Sequence, residues 1–378
     1  FLVLVLTPHV GRVAARGCGL LFLVSPLALL LGGSFMSHTT FMACVLGGAA
    51  GLQALLAGEA ASPRRGWLGV FTGFAWGWAL ITRPQDAALA GMLAVLGVLL
   101  ARRLIPAIRA LPFMLAGLAV PLAVLFLWNQ SVYGSAFVLG YGFTNAGFRT
   151  PMFQATFGLS EHFPLSKAVA ITTWTWYRLN GALLGWPVSL VAIPFALWGR
   201  PIRFVLHACA ACLLFTGVYF FYSYYGAEYE ARYYFPMVPA LLALTVLGLR
   251  RLSATPAGKG LAVWLVLLGL SYAGLHYGPH DLLPRYGQAY EQVSRQVIDE
   301  ARRADLGRSI ILMPVEHDAP LQYAAGFQFN DPYLRGDILF ARDIPDEENC
   351  LRTTFPDRRI YRLSLPREAS GAPPAARA

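Results

Sequence analysis

In the stretch SYYGAEYEARYYFP, Ser223 to Pro236, two glutamates and an arginine stand among tyrosines inside an otherwise oily chain. An arginine so placed can meet a phosphate with its planar fork of donors, and a carboxylate beside it can accept from a hydroxyl. Glu228, Glu230, Arg232 and Tyr233 thus outline a polar mouth. The plainer reading is an interfacial aromatic belt with an internal ion pair, worth about 1 kcal/mol or less if exposed. Scarcity of charge favours the functional reading. Before Pro279 the acids are Glu59, Asp86, Glu161, Glu228 and Glu230 alone, and ionisable groups gathered at one place in an apolar protein are seldom idle.

Three further motifs carry polar groups. TRPQD places Arg83 and Asp86 on either side of Pro84, which breaks or restarts a helix; Arg83 can be a snorkelling side chain at a helix end, and for Asp86 a structural and a functional role stand level. In SHTT, Ser37 to Thr40, His38 can line a cavity or cap the following helix, and capping is the preferred reading. Glu316, His317 and Asp318 follow a strand-like run and read as a polar surface loop. Cys209 and Cys212 form a C-x-x-C near His207 but fall in an apolar run without a second ligand pair, so they read as small buried residues. Gly69, Gly73 and Gly77, at four-residue spacing, predict close approach of another helix.

The elements that must hold these residues are apolar. The 378-residue chain is 56% hydrophobic and 13% charged, which suits lipid better than a soluble core. We expect an α-helical polytopic membrane protein with about nine spans, near residues 17–33, 35–57, 67–82, 84–101, 110–128, 181–198, 203–222, 235–249 and 261–277, the first and eighth short enough to be re-entrant or strongly tilted. Alternation collects Arg12, Arg16, Arg64, Arg65, Arg102, Arg103, Arg109, Arg200, Arg203, Arg250, Arg251 and Lys259 on one side, cytoplasmic by the positive-inside rule. The net charge of +10 is then topogenic and calls for no nucleic acid. Asp86, Glu161, Glu228 and Glu230 fall on the outer side. The membrane domain is expected over 1–278, with a long outer loop over 129–180 that forms interfacial helices lying on the outer leaflet, Trp174, Trp176 and Tyr177 at headgroup depth. A small outer α/β domain is expected over 279–367, with a helix carrying Tyr290, Val293, Val297 and Ala301 on one face and strands in SIILM, DILFA and RIYRLS; a disordered tail follows over 368–378. The opening FLVLVLTPH, without Met, reads as an N-truncated start in which Phe1 to Leu6 end an earlier span.

ARYYFPMVPALLALTVLGL resembles the Arg-Tyr, Pro-x-x-Pro entry to a late span in type C glycosyltransferases, in particular the group with protein O-mannosyltransferases and the lipid A aminoarabinose transferase. GVFTGFAWGWALITRPQDAAL resembles that group's glycine-rich helix ending in a basic residue, and NQSVYGSAFVLGYG its Asn, Gly and Tyr pattern after a middle span. The resemblance covers most of Arg12 to Arg251. It implies a multispanning inner-membrane enzyme that transfers a sugar from a polyprenyl-phosphate carrier to a protein, lipid or glycan acceptor at the outer face. By the match, Arg232 and then Arg83 are candidates for the carrier phosphate, and Asp86, Glu228, Glu230, His38 and Tyr233 for sugar or acceptor contacts. The family's catalytic acid follows the first span, a region that would precede Phe1. No cofactor is assigned, although relatives leave room for a divalent metal. A transporter or lipid flippase, and a non-catalytic scaffold subunit, are the competing readings; acids at the rim and the lack of a clear repeat weigh against transport.

Overall fold

A computed structural model describes residues 1–34, 36–58, 62–138, 157–161, 163–198, 203–222, 229–287, 295–313, 326–331, 333–344 and 348–363. The chain divides into two compact units, Phe1–Tyr277 and Gly278–Ala378. Glu228, residues 139–156 of the expected outer loop, the Glu316–His317–Asp318 cluster and the final tail lie outside the described residues.

The first unit is helical. Its main elements are α1 (Leu2–Val10), α2 (Arg12–Val24), α3 (Pro26–Gly32), α4 (His38–Ala57), α5 (Ser62–Thr82), α6 (Pro84–Leu100), α7 (Leu104–Tyr133), α8 (Leu165–Leu184), α9 (Ile193–Leu197) and α10 (Arg203–Phe220). A 3₁₀ turn over Arg232–Met237 then leads into α11 (Val238–Leu252), followed by α12 (Pro256–Tyr272). Five described helical segments are long and apolar enough to cross a membrane, or six if the pair α2–α3, bent by 59°, counts as one broken span. The bend falls at Ser25–Pro26, where proline removes a backbone donor, in keeping with the expected re-entrant or tilted first segment.

Among the described residues this measure finds fewer than the nine expected spans. The apolar run 181–198 is not one helix: α8 ends at Gly185, whose φ of 77° lies in the left-handed region and whose N–H bonds the Gly181 carbonyl at 2.9 Å. Asn180 then pins the turn, donating to the Pro187 carbonyl and accepting from Leu190 N–H at 3.0 Å. Pro84–Leu100 is a shorter apolar helix of 17 residues.

Glycines fix how closely the helices approach. A Cβ built on Gly73 would lie 1.8 Å from the Met114 carbonyl oxygen, and one on Gly117 2.0 Å from the Val70 carbonyl oxygen, so α5 and α7 touch backbone to backbone. Gly73→Val is therefore expected to destabilise the unit by about 3 kcal/mol, at the upper end for overpacking. Unfolding in detergent measures it, and an unchanged midpoint would contradict the close approach. At the end of this unit rich in arginine, basic side chains cap carbonyls: Arg251 Nη1 donates to the Ala196 carbonyl at 2.6 Å, and Arg65 Nη2 to that of Pro106 at 3.3 Å.

In the second unit β1 (Ser309–Met313) is the centre of a three-stranded parallel sheet, flanked by β2 (Ile338–Arg342) and β3 (Arg359–Arg362). All five β1 residues are buried, as expected for a parallel strand covered on both faces. A helix over Gln296–Arg303 packs Ile298 and Ala301 against Ile311, Met313 and Phe340. Leu351 and Phe355, on and just after the helix Glu348–Thr354, pack against Ile310, Leu312 and Leu339 on the other face. Asn330 pairs with β2, donating to the Phe340 carbonyl and accepting from its N–H, both at 2.8 Å, and so covers backbone groups of an edge strand. The expected strands stand where their residues were read; Tyr290, Val293 and the Val297 side chain lie outside the description.

Candidate functional site

One end of the helical unit gathers the N-terminus of α4, the α5–α6 junction, the C-terminus of α10, the 3₁₀ turn and one face of α8. The junction forms because Pro84 occupies the first turn of α6, leaving Arg83 in an extended-type conformation with φ −145° and ψ 81°. Arg83 Nε donates to one oxygen of Asp86, three residues on, and the Tyr219 hydroxyl donates to the other. Asp86 is 1% exposed and the Arg83 side chain 16%, so neither is a snorkelling group. The pair stands above a packed floor of Phe41, Ala79, Ala87 and Ala90.

Tyr219 connects this pair to the opening motif. Its ring centroid lies 5.1 Å from that of Tyr233 and 6.3 Å from that of Tyr234, and Tyr222 lies 5.9 Å from Tyr233. The Arg232 guanidinium sits 5.0 Å from the Tyr233 ring centre, and its Nη2 donates to the Tyr233 hydroxyl at 3.4 Å. A cation over an aromatic face is held without losing its charge.

Glu230 has a different place from the one its sequence position suggests. Its carboxylate takes a two-pronged contact from Arg178 of α8, with Nε at 2.8 Å and Nη2 on the other oxygen, and Glu230 is 1% exposed. This pair joins positions 52 apart in sequence. Tyr229 and Glu230 both have positive φ, 49° and 57°, a conformation costly for residues with a Cβ. The Arg178 clasp holds that strained corner directly ahead of Arg232. Arg178 itself lies 5.8 Å from the Trp174 ring centre, and Trp176 packs edge-on to Tyr234 at 5.7 Å. Trp174 and Tyr177 are exposed.

His38 does not cap its helix. Ser37 occupies the cap position without a side-chain hydrogen bond, while His38 is 3% exposed and neither ring nitrogen has a hydrogen-bond partner among the described residues. Its ring meets Phe235 edge-on at 6.5 Å. The structure therefore brings together His38, Arg83, Asp86, Arg232 and Tyr233, gives Glu230 an anchoring contact, and adds Tyr219 and Arg178. Tyr219 was hidden among belt-like aromatics; Arg178, spaced four residues from Trp174, offered a face signal inside a segment expected to form interfacial helices, and a helix does span Leu165–Leu184. Among the described residues no group of three His, Cys, Asp or Glu could hold a metal ion, so they supply no ligand set for the divalent metal that the resemblance leaves room for.

No family model, curated protein or solved structure matches the chain.

Proposed function

We propose that the chain is the membrane part of a glycosyltransferase that moves a sugar from a polyprenyl-phosphate carrier to an acceptor at the outer face of the inner membrane. The observation that supports this reading is the ring contact of Tyr219, which donates to the Asp86 paired with Arg83, with the Tyr233 that lies under Arg232, so that both arginines belong to one polar cluster of an apolar helical unit. Arg232 and Arg83 serve the carrier phosphate, while its lipid chain runs along the exposed apolar helix faces. Breaking the bond from the anomeric carbon to the phosphate oxygen leaves negative charge on the departing oxygen and oxocarbenium character on the sugar. A pre-placed pair of guanidiniums opposes the first without reorganising.

Asp86 and Glu230 act as anchors in this scheme rather than as bases, because each carboxylate accepts hydrogen bonds from a neighbouring side chain. The base that takes the acceptor's proton is the acid expected in the first outer loop of such enzymes. Tyr233 borders the site as a hydroxyl for sugar or acceptor. The small sheet domain belongs, on this reading, to the periplasmic side.

The full-length protein in proteoliposomes, supplied with polyprenyl-phosphate sugars, tests this through release of polyprenyl phosphate. Arg232→Ala is expected to lower turnover efficiency by about 10- to 100-fold, the worth of one charge-assisted contact of about 1.5–3 kcal/mol. Arg232→Lys recovers part of it, since a point charge replaces a fork. Equal turnover by wild type and Arg232→Ala would remove Arg232 from the donor site.

A further inference from the structure

Four helices of the first unit, α1, α2, α10 and α11, hold five arginines, Arg12, Arg16, Arg203, Arg250 and Arg251, and no Asp or Glu along their whole length. Packing brings these arginines to one end. Arg250 Nη1 donates to the Val10 carbonyl at 3.4 Å, two residues before Arg12, and the Cys18 thiol donates to the Leu242 carbonyl at 3.8 Å, so α11 runs down to the start of α2. Phe204, next to Arg203, stacks on His9 with ring centres 5.1 Å apart and packs against Leu2, Leu6 and Val10. The bonds of Arg250 and Arg251 go to backbone carbonyls, and these helices offer no carboxylate to any of the five. Like charges gathered in this way repel one another until an anion lies among them.

The rest of the same helix face says what that anion is attached to. Arg12, Arg16, Leu20 and Leu23 follow one another at spacings of four and three, which places them on one face of α2. All four are exposed, Leu20 by 66% and Leu23 by 67%, while Ala15 and Cys18 on the other face are buried against Ala243. The exposed face therefore changes from guanidinium to aliphatic within one helical turn. A free phosphate would meet the arginines and leave the leucines bare, whereas a phospholipid covers both. We infer that Arg12, Arg16 and Arg250 form a binding site for the headgroup of an acidic phospholipid whose acyl chain lies along Leu20 and Leu23. The inference needs the unit to lie in a bilayer and is independent of sugar transfer. Planar guanidinium forks match phosphate oxygens. A zwitterionic lipid carries the same phosphate but adds an ammonium group that the arginines repel, so the site selects the acidic lipid.

Native mass spectrometry of the full-length protein in detergent, titrated with phosphatidylglycerol or with phosphatidylcholine of the same chain length, tests the site. Wild type is expected to hold the acidic lipid about tenfold more tightly, the effect of one or two basic groups beside an anionic headgroup. Arg12→Gln with Arg16→Gln should cut that preference to about twofold or less. Arg102→Gln with Arg103→Gln, exposed arginines between α6 and α7, should leave it intact. Arg12→Lys with Arg16→Lys is expected to recover part of the preference, which separates headgroup recognition from a folding defect. Inorganic phosphate in excess should not displace the lipid, because it offers nothing to Leu20 and Leu23. Wild type without a preference, equal loss in the two glutamine pairs, or displacement by inorganic phosphate would overturn the inference. A folded wild type that retains neither lipid would overturn the bilayer placement beneath it.

Discussion

Replacing Arg178 by alanine is expected to destabilise the helical unit by about 3–5 kcal/mol, the usual consequence of removing one partner from a buried ion pair. Glu230 is 1% exposed and receives both prongs of the Arg178 guanidinium, whose side chain is 13% exposed. Without the guanidinium its charge has lost the fork that balanced it, and the two left-handed residues Tyr229 and Glu230 lose their tether. Arg178→Lys should recover only part of the loss because an ammonium cannot span both oxygens. Arg178→Leu with Glu230→Leu should be milder than either alanine variant alone, since replacing both charges leaves none unpaired. Chemical unfolding in detergent reads all of these. A double variant as damaging as the sum of its singles would show that the two side chains act independently. Because the clasp precedes Arg232 directly, the single variants should also weaken carrier binding, although Arg178 is a positioning residue.

The second large effect is at Asp86. Its carboxylate accepts from the Arg83 Nε and from the Tyr219 hydroxyl while almost fully enclosed. Asp86→Ala strands a cation and a hydroxyl together, again about 3–5 kcal/mol. Asp86→Asn keeps the shape and loses the charge, so its cost is smaller. Tyr219→Phe removes one donor and should cost about 1–2 kcal/mol. The expected order of destabilisation is therefore Asp86→Ala, Asp86→Asn, Tyr219→Phe. Tyr219→Phe proving as damaging as Asp86→Ala would instead make the ring cluster of Tyr219, Tyr222 and Tyr233 the principal support.

What was legible in the sequence follows from what the amino-acid pattern encodes locally. In a membrane-type segment so poor in acids, Asp86, Glu230, Arg83 and Arg232 stood out because each needs a reason to be there. Their convergence at one end followed from alternating helices, and the strands SIILM, DILFA and RIYRLS from short β-prone runs between polar turns. Partners were not legible: the pairing of Glu230 with Arg178 depends on α8 packing against the turn, a contact between segments 52 positions apart. Tyr219 reads from sequence as one more interfacial aromatic, since only the tertiary fold brings its hydroxyl to Asp86, 133 positions away. Hydropathy also overread 181–198, where left-handed Gly185 and the Asn180-bound turn end the helix although the residues remain apolar. His38 was read as a cap because Ser-His-Thr-Thr at a helix start fits that role, and its enclosure by Phe235 became visible only in three dimensions.

The central claim is the proposal that Arg83 and Arg232 hold the phosphate of a lipid carrier. Native mass spectrometry of the full-length protein in detergent, with a panel of polyprenyl-phosphate sugars, tests it most directly when wild type is compared with Arg232→Ala. The expected result is a retained carrier at one copy per protein, weakened tenfold or more by the substitution. A folded wild-type protein that retains no carrier, or an Arg232→Ala protein that retains it equally well, would contradict the account.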